Sequence, residues 1–85
     1  MTNISSKVAH DPLRVSPPQL NEPEEFEPME LYKLAKNRFD WKLWQFAIAF
    51  GCETTTIYAW SSGRSLPSRQ ARIIAALLKK LWGFN

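Results

Sequence analysis

The sequence has one cysteine, one histidine and three glycines in 85 residues, and no apolar run approaching 18 residues. Each scarcity removes a class of protein. Without a long apolar run no membrane span is encoded, and the amino-terminal residues show no apolar signal core, so nothing argues for secretion. Cys52 alone cannot form an internal disulfide, which fits a reducing cytoplasm. His10 alone, set among prolines, leaves no metal cluster and no histidine-based catalytic set, so neither metal nor cofactor is expected. A chain this short has little room for an active-site cleft, and an enzyme is not expected.

What is present is unevenly placed. Five of the six prolines (Pro12, Pro17, Pro18, Pro23, Pro28) lie in the first 28 residues, and ten of the eleven aromatics lie after them. Residues 1–28 carry Lys7 and Arg14 against Asp11, Glu22, Glu24, Glu25 and Glu27, a net of −3. Residues 29–85 carry nine Lys/Arg against Glu30, Asp40 and Glu53, a net of +6. An acidic arm thus precedes a basic body. Residues 1–27 lack helical or strand periodicity, and their prolines remove backbone donors, so the arm reads as disordered or polyproline-like. Its composition favours a solvating tail over a docking arm or an acidic competitor folded back on the body.

The body, residues 28–85, reads as an all-α four-helix domain. Pro28 suits a first helical position, and Leu31, Leu34, Ala35 and Phe39 make one face of a helix over 28–38. Asp40 is expected to cap a second helix over 41–50 that buries Leu43, Phe46, Ala47 and Phe50. Gly51 ends it. A third helix over 54–61 is anchored by Ile57 and Trp60. A fourth, over 68–82, is expected to bury Ala71, Ile74, Leu78 and Leu81, with Gly83 as its stop. A second stripe, Trp41, Trp44 and Ile48, is open to two readings: packing inside the domain, or a surface for a partner. The same holds for Trp82 and Phe84, where contact with a second copy is favoured.

Only about three residues join the second and third helices, so small side chains must stand where they cross. The pattern Phe46-Ala47-x3-Gly51-Cys52-x4-Ile57-x2-Trp60-x2-Gly63-x3-Pro67 supplies them. This stretch resembles the lambda-repressor and Cro-like (Xre-type) helix-turn-helix family, and the resemblance extends over about residues 29–82. Members have a buried alanine, a turn glycine, a branched aliphatic and an Ile, Leu or Trp where this chain has Ala47, Gly51, Ile57 and Trp60. A glycine with a basic neighbour and then a proline matches Gly63-Arg64 and Pro67.

The resemblance implies that the third helix enters a DNA major groove and that the protein regulates transcription from the cytoplasm, bound to double-stranded DNA. Thr54 and Thr55 fall where family members contact bases, and Tyr58 and Ala59 share that outward face. Lys42, Ser62, Arg64, Arg69 and Arg72 are the expected phosphate contacts. The base-facing positions carry no Arg, Lys, Gln or Asn, and Leu43 stands where many members have a phosphate-binding glutamine. Those departures keep a rival open: a protein adaptor on the same scaffold, using Trp41, Trp44 and Ile48. A homodimer through that stripe, or through Trp82 and Phe84, is the other partner expected. The three threonines at 54–56 are also explained by helix capping alone, and Glu53 by capping, base contact or phosphate repulsion.

Overall fold

The structure, a computed structural model, describes residues 22–85. Four α-helices follow one another: α1 (Pro28–Phe39), α2 (Leu43–Phe50), α3 (Thr54–Ser62) and α4 (Arg69–Leu81). There is no strand among the described residues, and none of these helices is long and apolar enough to cross a membrane. The all-α, four-helix expectation holds.

Local chemistry sets each boundary. Pro28 opens α1, where its missing N–H costs nothing, and its ring is buried. Asp40 closes α1 rather than capping α2. Its φ is 59°, a left-handed conformation that a short polar side chain tolerates, and its N–H donates to the Lys36 carbonyl at 2.9 Å. The cap of α2 is instead Lys42, whose N–H donates to Gln45 Oε1 at 2.7 Å, one half of a capping box. The second helix therefore starts two residues later than its apolar pattern suggests.

Two helices end on the same device. At α2, the Gly51 N–H reaches the Ile48 carbonyl at 3.2 Å and the Cys52 N–H reaches that of Ala47 at 3.1 Å. At α4, the Gly83 N–H reaches Lys80 at 3.1 Å and the Phe84 N–H reaches Lys79 at 2.9 Å. Both are Schellman closures, which need a left-handed residue one step past the cap. Gly51 (φ 91°) and Gly83 (φ 84°) supply it. The second closure turns Phe84 back onto the domain, where it is buried.

The core joins Leu31 and Ala35 of α1, Phe46, Ala47 and Phe50 of α2, Ile57 of α3, Ala71 and Ala75 of α4, and Phe84. α1 packs on α2 and α4, and α2 packs on α3. Phe46, fully buried, lies 5.4 Å from the Tyr32 ring, 5.4 Å from Phe50 and 6.3 Å edge-on from Trp82. Trp41, Phe39 and Trp82 close one end of this core, with Trp41 4.9 Å from Phe39 and 5.3 Å from Trp82. Phe84 is therefore a core side chain, and Trp82 packs half-buried against that core.

α4 departs from its expected face. Ala71, Ala75 and Leu78 point inward, while Ile74 is 38% exposed, Leu77 62% and Leu81 76%. The helix is apolar over two adjacent faces, and periodicity favours the bulkier one. Packing selects the other, because Ala75 and the equally buried Ala35 of α1 leave room for the helices to approach closely. The result is an outward stripe of Ile74, Leu77 and Leu81 at helical spacing.

Candidate nucleic-acid interface

Gly51, Cys52 and Glu53 alone separate α2 from α3. Ile57 is wholly buried and Trp60 packs edge-on against Phe50 at 5.8 Å, which fixes the rotation of α3 about its axis. With those two turned inward, Thr55 and Tyr58 are exposed, and Thr54 and Ala59 are partly exposed. The four expected base contacts thus share the solvent side of one helix, with both threonines in its first turn. The cap of α3 is Glu53, whose side chain makes no capping hydrogen bond. None of the threonines occupies the cap position, so capping does not account for them. The Glu53 carbonyl accepts from the Thr56 and Ile57 amides, the first backbone bonds of the helix.

The expected phosphate contacts divide into two sets. Lys42, at the start of α2, and Arg64, just beyond α3, are exposed and enter no ion pair among the described residues. Ser62 is exposed, and its hydroxyl donates to the Ala59 carbonyl at 3.3 Å. Arg69 and Arg72 are engaged. Arg69 meets Glu22 at 2.7 Å and Glu25 at 3.1 Å, and Arg72 meets Glu25 at 2.8 Å. Arg72 also donates through Nη1 to the Pro67 carbonyl at 2.8 Å, tying α4 to the loop before it.

The partner of these arginines is the acidic end of the arm. The Phe26 N–H donates to the Arg72 carbonyl at 3.0 Å, past the hydrogen bonds of α4 itself. Lys79 Nζ lies 5.0 Å from the centre of the Phe26 ring, and Glu24 meets Lys80 at 3.0 Å. Residues 22–27 are therefore laid along the basic side of α4, in place of the free tail that composition favoured. The rest of that arm, residues 1–21, lies outside the described residues. Hydrogen bonds from Arg72, and next from Arg69, hold the Glu25 carboxyl below the usual carboxylate range. The clamp is fully present above the ordinary carboxylate pKa and is lost as pH falls through the lowered one.

The stripe suggested for partners also divides. Trp41 is half-buried in the aromatic end of the core, whereas Trp44 is 52% exposed and Ile48 71%. Cys52 lines an open cleft of about 230 Å³ with Phe50, Trp60 and Ala71, and partial burial raises its thiol pKa, so it stays a small neutral plug. No group of three His, Cys, Asp or Glu side chains among the described residues could hold a metal ion. Compared with family models, characterised proteins and solved structures, the chain finds no match.

The sequence offers an acidic segment folded back on the body only as the less favoured reading, and it does not single out the pairing of Glu22 and Glu25 with Arg69 and Arg72. Its only trace there is the sign of the charges, because partners 44 and 47 residues apart show no periodicity.

Proposed function

We propose that this protein is a small sequence-specific DNA-binding protein, a transcriptional regulator of the repressor-like helix-turn-helix kind, working in the cytoplasm. α2 and α3 form the pair, and α3 enters the major groove of a duplex. The observation that carries this reading is the inward anchoring of Ile57 at the end of a three-residue turn. It leaves Thr54, Thr55, Tyr58 and Ala59 outward, with the exposed cations Lys42 and Arg64 placed at the ends of the same two helices. Threonine hydroxyls donate or accept at base edges, and their methyls touch the thymine methyl. Lys42, Arg64 and Ser62 hold phosphates, which fixes register without reading sequence.

A lone domain of this size covers about 600–1,000 Å² on DNA, so specific occupancy calls for a second copy or a helper protein. The exposed apolar side chains Trp44 and Ile48 on α2 are where that partner would dock.

The same exposure favours a second reading, an adaptor that binds another protein through Trp44 and Ile48 and never meets DNA. Fluorescence anisotropy with a labelled random duplex separates the two. The DNA-binding reading expects affinity that falls steeply from low to high salt as released counterions are restored. An adaptor gives no salt-dependent binding at either end.

A further inference from the structure

Nine Lys/Arg lie in residues 29–85, and four of them are paired with carboxylates among the described residues. Three of those four, Arg69, Arg72 and Lys80, are held by Glu22, Glu24 and Glu25. The acidic segment thus touches one side of α4 and neutralises it over nearly its whole length. The contact is not charge alone: the Phe26 amide is bonded to the Arg72 carbonyl and the Phe26 ring lies under Lys79. These fix the register in which Glu22 meets Arg69, Glu25 bridges Arg69 and Arg72, and Glu24 meets Lys80.

We infer that the basic side of α4 is a second surface for the duplex backbone, closed in cis by Glu22, Glu24 and Glu25, which occupy Arg69, Arg72 and Lys80 as phosphates would. The inference rests on the DNA-binding reading above and adds a regulatory step to it. Lys42 and Arg64 make the first, weak encounter. The segment is then displaced, and Arg69 and Arg72 join the backbone contacts.

The physical terms permit such an exchange. Each pair is at least partly exposed: the Arg69 side chain is 52% exposed, Glu22 90%, Lys80 57% and Glu24 69%. Ion pairs in such surroundings are individually weak and are screened by salt. A polyanion carrying a charge every ~1.7 Å competes on favourable terms, because it also releases its own condensed counterions. The Phe26 contacts keep the segment attached nearby, so it re-closes when the duplex leaves. An α4 without the glutamates would instead bind any duplex and lose selectivity.

The test compares two double variants of equal charge in the full chain. Glu22→Gln with Glu25→Gln frees both arginines. Glu27→Gln with Glu30→Gln removes the same two charges from residues that make no ion pair with α4 among the described residues, Glu30 being paired with Lys33. Affinity for random duplex is measured by anisotropy from about 50 to 200 mM salt. The first variant is expected to bind about tenfold more tightly at the low end, the scale of a few exposed ion pairs. Its salt slope steepens by about 2, for two further phosphates neutralised. The second variant gains less and keeps the wild-type slope.

Equal gains and equal slopes from the two variants would overturn the gate while leaving the DNA-binding reading intact. Absence of salt-dependent binding by the wild type and both variants would remove that reading and the gate together. A second readout follows the segment itself. Hydrogen exchange at the Phe26 amide should quicken when excess random duplex is added, and an unchanged rate in the duplex-bound protein would also overturn the gate.

Discussion

Phe46→Ala is expected to lower stability by about 3–5 kcal/mol, the cost of deleting a fully buried aromatic ring and leaving a cavity. Phe46 is wholly enclosed and its ring touches those of Tyr32, Phe50 and Trp82, so α1, α2 and the carboxyl-terminal turn meet on it. The neighbours cannot collapse into the space without moving two helices. In a domain this small the loss is a large share of the total stability. Thermal melting followed by circular dichroism should show Tm at least about 12 °C below wild type, or no folded baseline. The exposed Trp44→Ala should stay within about 0.5 kcal/mol of wild type. A Phe46→Ala protein melting within about 4 °C of wild type would remove that residue from the centre of the packing.

The second large effect concerns binding. Arg64→Ala combined with Lys42→Ala removes two exposed cations that enter no ion pair among the described residues, one at each end of the proposed helix pair. Affinity for every duplex should fall together, by about tenfold for each contact at low salt, because phosphates carry no sequence information. The salt slope should flatten by about 2. Neither side chain is buried, so stability should hold within about 0.5 kcal/mol. Arg72→Ala differs in kind. Arg72 bonds the Pro67 carbonyl as well as Glu25, so its loss should destabilise the fold too. Wild-type affinity and slope in the Lys42/Arg64 variant would show that these cations face away from the duplex.

The fold was legible where one residue type has one use. Pro28 could only begin a helix there, and Gly51 and Gly83 supply the left-handed residues that both Schellman closures need. Spacing puts Ile57 and Phe46 on inward faces, and both are fully buried. It was less legible where several residues could serve. Asp40 suits a cap at either end of a helix. It closes α1 because Lys42 and Gln45 already satisfy the start of α2. On α4 two apolar faces compete, and the alanines win since helix approach distance, not hydrophobicity, decides the contact.

The candidate interface was legible to the same extent. The outward side of α3 follows from the inward pair Ile57 and Trp60, and Thr54, Thr55, Tyr58 and Ala59 lie on it as expected. Lys42 and Arg64 remain open to a ligand, while Arg69 and Arg72 do not. That distinction depends on a pairing between chain segments more than 40 residues apart, which neither composition nor spacing encodes. The separation of an acidic arm from a basic body therefore has a local meaning: part of the −3 lies on part of the +6.

Selection of bound duplexes from a random pool, run in parallel with wild type and Thr55→Ala, tests most directly whether α3 reads DNA. A sequence motif should emerge for the wild type, two-fold symmetric if two copies bind together. Thr55→Ala should retain much of the affinity while losing preference at one or two positions of that motif, since a threonine at the start of the helix meets base edges and not phosphate. No enrichment over the input pool, or an identical motif from both proteins, would contradict the placement of α3 in the groove.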